Sequence, residues 1–320
     1  MGVSARVLLG ILAAVLFAFA SGADARASQL VDRDASAVRL AIRADGVALL
    51  TYRKAGRWRH VFAWGALNAR EPNPVIPQVR FKFDYTGGWA HTGRQLWRSF
   101  HGVCRPYDGP GLAWLVTACK APDGSYWAVQ SWQRALPHRG HAAWRAGQTA
   151  WELHLSHWTG PLATLEVHRD WAFGEADDLF GRLTYRGVPV HGFHSSHDGV
   201  ALDGYGRGLY IDTYDSPYGA GWKRDTSILT RKPSGVFCYS LWPTRDPSLP
   251  GFPDDLRPAG RGTRYRITVS GPGVTPDLSW QAAALHRYDP NNALDVGYEQ
   301  SMNALLDVLA GADPFCKTQH

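Results

Sequence analysis

Apolar and polar positions alternate with a period of two along most of the chain, and Gly, Pro, Asn and Asp bound the alternating runs, the pattern of strands joined by turns. Ala37–Arg43 and Val47–Arg53 flank Ala44-Asp45-Gly46 and predict a hairpin, with Arg57–Trp64 as a third strand. A loop spans Asn68–Ile76. Val79–Tyr85 carries Val79, Phe81, Phe83 and Tyr85 on one face and predicts a further strand. Leu112–Cys119 and Ser125–Gln133 flank the turn signal Ala121-Pro122-Asp123-Gly124, and a loop over Pro137–Gly147 follows. Trp151–Trp158 and Leu162–Asp170 around Thr159-Gly160-Pro161 predict another hairpin, and Asp177–Gly181 reads as a connection. Gly208–Tyr214, Val236–Trp242 and Thr263–Ser270 are later strands, in a half richer in Gly and Pro.

The period changes once. Within Ala293–Ala310, Leu294, Tyr298, Met302, Leu305, Leu306 and Leu309 recur at helical spacing; Asp289-Pro290-Asn291-Asn292 supplies a cap and Gly311 a stop. The expectation is an all-β protein of sandwich-like antiparallel sheets with one C-terminal α-helix.

The N-terminus follows a different pattern. Arg6 precedes the apolar run Val7–Ala20, and both Ala23-Asp24-Ala25 and Ala25-Arg26-Ala27 fit a small-residue cleavage site, which predicts a signal peptide over residues 1–27 and a secreted, extracytoplasmic protein. The run is too short to cross a bilayer, which takes roughly 20 apolar residues, and no longer one follows, so no transmembrane anchor is expected. The rest divides into a Trp-rich β region at 28–175 and a β region with the terminal helix at 176–320, as two domains or one composite domain.

Oxidising surroundings suit the four cysteines, Cys104, Cys119, Cys238 and Cys316. Three pairings are open to four cysteines. Cys104–Cys119 and Cys238–Cys316 are favoured, because the first closes a short local loop and the second pins the helix to the sheets. No C-x2-C pair points to zinc.

The chain carries 14 Trp and 13 Tyr against 2 Met, and this aromatic load supplies a large core with some rings left over for stacking on a ligand. Net charge is +6, without any run of like charge, so a nucleic-acid arm is not expected; a mildly basic exported protein suits acidic polymers such as teichoic acid or uronic-acid glycans.

Candidate chemistry concentrates in the segment 151–170. Were Trp158 to pair with Leu162, Glu152 would oppose His168 and His154 would oppose Glu166, with Ser156, Trp158, Thr164 and Asp170 on the same face. Crossed carboxylate–imidazole pairs separate the titrations of their members, and two carboxylates beside aromatics are the minimum for glycan cleavage. Glu166 is then the acid or base, Asp170 or Glu152 the second carboxylate, and His168 or His154 the tuning partner. An ordinary solvated sheet face competes with that reading. Trp158, Asp212 and Tyr214 are candidate sugar contacts; Tyr210, Asp212 and Tyr214 share one face of their strand. His191, His194 and His197 form an H-x-x-H-x-x-H loop that would hold a metal only if folded around it. Gly219–Asp225 reads as a loop able to cover a site, or as a hairpin tip. The leading functional expectation is carbohydrate binding or processing without a cofactor. The alternatives are a non-catalytic structural or adhesive envelope protein and, below it, a metal-dependent hydrolase.

Overall fold

The computed structural model describes residues 28–73, 75–134, 136–137, 151–172, 176–190, 194–195, 201–202, 208–217, 219–225, 235–241 and 260–311. The signal-like segment, most of 137–147, His191, His197 and Cys316 lie outside them.

In chain order the strands are β1 (Gln29–Arg33), β2 (Ser36–Ile42), β3 (Ala48–Lys54), β4 (Arg57–Trp64) and β5 (Lys82–Asp84). The short helix α1 (Trp89–Thr92) and a 3-10 turn at Leu96–Ser99 follow. Next come β6 (Arg105–Pro106), β7 (Leu115–Lys120), β8 (Tyr126–Gln133), β9 (Trp151–Trp158), β10 (Thr164–Ala172), β11 (Ala176–Tyr185) and β12 (Val188–Pro189). The short pair β13 (His194–Ser195) and β14 (Ala201–Leu202) precedes β15 (Gly208–Ser216), β16 (Gly219–Asp225), β17 (Val236–Leu241), β18 (Arg264–Val269), β19 (Leu278–Ala283) and the helix α2 (Ala293–Ala310).

These form four antiparallel sheets. The first runs β1-β9-β8-β7-β6 and the second β2-β3-β4-β5. The third centres on β11, which pairs with β10, β12 and β17; the fourth centres on β15 and β18. Inward residues of the first two sheets share one core, with Trp127, Val129, Leu153 and Leu155 meeting Ile42, Leu50, Tyr52 and Val61. The third and fourth sheets share another, where Leu179, Leu183, Phe237 and Tyr239 meet Leu209, Ile211, Tyr265 and Ile267. Two sandwich-like pairs result, each with apolar positions alternating inward. On the opposite face of the third sheet, Phe180, Val236 and Cys238 pack under Leu306, Leu309 and Ala310 of α2.

The Cys104–Cys119 bridge is formed, with Cα atoms 5.6 Å apart; in the chain-entropy account a loop this short contributes roughly 3 kcal/mol. Cys238 is also disulfide-bonded. Helix α2 begins where the cap motif places it, with Asn292 accepting from the Leu294 amide. Leu294 itself is 81% exposed, since the stripe meets the sheet only from Tyr298 onward.

Several expectations are corrected. The hairpin 151–170 does not form. Both edges of β9 are occupied, by β1 and by β8, so the chain turns away after Trp158 and β10 pairs with β11 in another sheet. The turn is held by reciprocal bonds, Asn68 Nδ2 to Thr159 Oγ1 and the Thr159 amide to Asn68 Oδ1. Asp177–Gly181 is not a connection but the middle of β11. Gly219–Asp225 is not a loop but strand β16, paired along β15. Of Val79–Tyr85 only Lys82–Asp84 is strand, because only Trp64, Ala63 and Phe62 of β4 offer it partners.

A strap between β18 and β19 ties the two sandwiches together. Val274 enters the first core, and its carbonyl accepts from the His157 amide. Gly273 sits at φ +56, and a Cβ there would lie 2.5 Å from the Asn68 carbonyl oxygen. Both the left-handed backbone and the close approach require glycine.

Candidate functional site

The Glu152–His154 part of the expected Glu–His face is buried, while Glu166 and His168 stay partly exposed. Glu152 and His154 belong to a network at the junction of the sandwiches. Glu152 accepts from Arg33 Nε and Nη2 at 3.1 and 3.0 Å, with Arg134 Nη1 at 3.6 Å. His154 Nε2 lies 3.1 Å from Glu152 Oε2, and its Nδ1 lies 3.1 Å from Asp277 Oδ2 and 2.8 Å from Ser28 Oγ. Asp277, from the end of the strap, also accepts from Trp132 Nε1 at 2.8 Å and from the Gly271 amide at 2.9 Å. Burial alone would raise the Glu152 pKa, but His154, Arg134 and Arg33 outweigh it and hold it at about 2. Burial likewise opposes a charged His154, yet Asp277 and Glu152 on either side lift it to about 9. An imidazolium clamped between two carboxylates, closed to solvent, is a structural brace.

Glu166 and His168 do pair, along one strand rather than across two. Glu166 Oε1 is 3.0 Å from His168 Nε2, and Arg182, its cross-strand neighbour, donates to Oε2 at 2.7 Å. The hydrogen bond from His168 and the Arg182 charge hold the Glu166 carboxyl below its ordinary range. A carboxylate so held is a poor proton donor at neutral pH.

Asp170 has a third environment. It directly opposes Asp178 across β10 and β11, and both are buried. Asp170 Oδ1 accepts the Trp171 amide at 2.8 Å, while buried Oδ2 has no partner among the described residues. Burial and the charges of Asp178 and Glu299, the latter on α2, push Asp170 up to about 7. Burial and the neighbouring Asp177 push Asp178 up to about 6, against a bond from Ser240. Asp178 and Glu299 carried no sequence signal, because their meeting with Asp170 depends on β11 being a strand and on where α2 docks.

Two of the predicted ligand contacts, Trp158 and Asp212, are corrected as well. Trp158 is 1% exposed, its ring covered by Tyr126 and Tyr107. Asp212 is fully buried and consumed by ion pairs, from Arg224 Nε at 2.7 Å and Arg266 at 2.8 Å. Tyr214 is half-buried against Trp222 and under Arg264. Of the proposed histidine ligands, His194 lies on β13; His191 and His197 are outside the described residues. Among the described residues no group of three His, Cys, Asp or Glu is placed to hold a metal ion.

An open concavity lies elsewhere, on the outer face of the second sheet. Alternation points Leu49, Thr51 and Arg53 of β3 and Trp58, His60 and Phe62 of β4 away from the core, while Leu50, Tyr52 and Val61 point into it. The segment after α1 folds back over part of this face. Trp97 stacks on His60 with ring centroids 3.7 Å apart and planes 4° from parallel, and Phe100 lies 5.6 Å from Phe62. Trp97 fits because residue 87 is glycine, where a Cβ would come within 2.8 Å of its ring. What stays open is a groove of about 440 Å³ walled by Arg39, Thr51, Trp58, His60 and Trp97 over Ala41 and Leu49. Trp58 is 45% exposed at its rim. His60 Nδ1 lies 3.2 Å from Thr51 Oγ1, and burial lowers its pKa, so the ring is neutral at pH 7 and its stack with Trp97 carries no charge. Among the described residues no carboxylate lines the groove. The alternation in β4 contained the signal for this site, but it does not show which outward face is left uncovered.

No family model matches the chain, and neither a curated protein nor a solved structure matches it.

Proposed function

We propose that this chain is an exported carbohydrate-binding protein whose ligand lies in the groove over β2, β3 and β4. The observation that carries the reading is the groove itself: a half-exposed indole, Trp58, stands beside a neutral His60–Trp97 stack, with the Thr51 hydroxyl and Arg39 as polar partners. Flat apolar rings with a few hydrogen-bonding groups at their edges match the face and rim of a pyranose. Export rests on the signal-like pattern of residues 1–27 and agrees with the Cys104–Cys119 bridge. No helix among the described residues is long and apolar enough to cross a membrane.

The reading is binding and not hydrolysis. Glycoside cleavage needs two carboxyl groups flanking the bond, roughly 5–10 Å apart. Glu152 and Asp170 are buried, and Glu166 is engaged by His168 and Arg182.

A glycan array followed by calorimetry tests the reading. Trp58→Ala is expected to weaken binding by roughly 10- to 100-fold, the effect of losing one stacked indole, with the melting temperature unchanged. Undiminished binding by this variant would remove the groove from consideration. Silence across the array would favour the structural or adhesive alternative.

A further inference from the structure

We infer that the groove selects acidic glycans, whose sugar rings bear carboxylates; this rests on the carbohydrate-binding reading of the same site. Four arginines stand over aromatic rings of this face. The guanidinium carbons of Arg53 and Arg39 lie 5.2 and 6.0 Å from the Trp58 ring centroid, that of Arg98 5.2 Å from Trp97, and that of Arg43 5.8 Å from Phe100. Arg43 is neutralised by Asp45, which it meets at 2.5 Å. Arg39, Arg53 and Arg98 are exposed and have no carboxylate partner among the described residues.

The register explains their convergence. Arg53 directly opposes Trp58 across β3 and β4, while Arg39 opposes Thr51, which opposes His60. Two uncompensated guanidiniums therefore flank the indole on which a sugar would stack. By contrast Arg224 and Arg266, which also stand over aromatic rings, both bind Asp212. A neutral sugar has no use for two free cations. A uronate presents a planar carboxylate at the ring edge, and the guanidinium fork matches it.

The test compares oligogalacturonate with the same oligomer fully methyl-esterified, by calorimetry on the full chain at low and at 0.5 M salt. Oligogalacturonate is expected to bind about tenfold more tightly at low salt, on the scale of two exposed charge-assisted contacts, and to lose that margin at high salt. Arg39→Gln/Arg53→Gln, exposed positions that leave the core intact, is expected to bring the two oligomers to equal affinity. Trp58→Ala weakens both. Equal, salt-independent affinities in the unaltered protein would overturn the acidic preference and leave the carbohydrate reading standing; failure to bind either oligomer or any array glycan would overturn both. A heparin-type oligosaccharide bound more tightly than oligogalacturonate would move the ligand charge from carboxylate to sulfate. Tighter binding of oligo(dT) than of any glycan would overturn the proposal in favour of single-stranded nucleic acid.

Discussion

Glu152 and Asp170 are each 1% exposed, yet their titrations are displaced in opposite directions. Glu152 sits among Arg33, Arg134 and His154 at the junction of the two sandwiches; Asp170 faces Asp178 across a strand pair and senses Glu299 from the helix above. Burial penalises the ionised form at both sites. What differs is the company: cations outweigh the desolvation in the first and acids add to it in the second. The first site is therefore a charged brace and the second a carboxyl contact under α2 that keeps its proton well above the ordinary carboxylate range, from the same residue chemistry and the same depth.

The largest expected effect comes from breaking the brace. Asp277→Ala leaves His154 buried with one counterion fewer and orphans the Ser28 and Trp132 donors. Urea denaturation at pH 7 should show a loss of about 3–5 kcal/mol. The brace also has a signed pH dependence. Glu152, held at about 2, contributes stability that is present above its unfolded value and lost as acid approaches pH 2. His154, held at about 9, contributes stability that is complete below pH 6.5 and lost as pH rises through 9.

Asp170 behaves oppositely. With its folded pKa near 7, above the unfolded value, the folded state holds the proton longer, so its contribution declines as pH rises from about 4 to 7. Asp170→Asn should leave stability at pH 4 nearly unchanged. At pH 8 it should raise stability on the order of a few kcal/mol, since each unit of raised pKa corresponds to about 1.4 kcal/mol. Thermal melts across pH 4–8 read this directly; parallel profiles for the unaltered protein and the variant would dissolve the contrast between the sites. The smallest effect belongs to the half-exposed carboxylate. Glu166→Gln removes pairs with His168 and Arg182 that solvent already screens, and should cost about 0.2–1 kcal/mol. A larger loss by denaturant titration would mean that surface pairs here act like the buried brace.

Much of the local structure was legible from residue pattern. β2, β3 and β4, the β7–β8 hairpin and the helix Ala293–Ala310 lie where alternation, turn residues and caps predict them. The site was less legible. Glu166 and His168 meet, but on one strand, because side chains at i and i+2 share a face whatever the partner strand is. Trp58 and His60 were readable as an outward pair on β4. Their partner Trp97 was not, since it arrives from a segment with no regular period.

Period and punctuation by themselves thus determine which stretches are strands, which is the helix, and which side chains share a face. They do not determine which edge a strand pairs with, because every strand edge offers the same backbone donors and acceptors. Trp151–Trp158 was free, as a sequence, to pair with the strand that follows it. Only the folded chain, with β1 and β8 on its two edges and Asp277 brought in from the strap, turned an expected wet face into a buried ion network. A buried charge is tolerated where its counter-charge arrives from far along the chain, and tertiary structure alone brings it there.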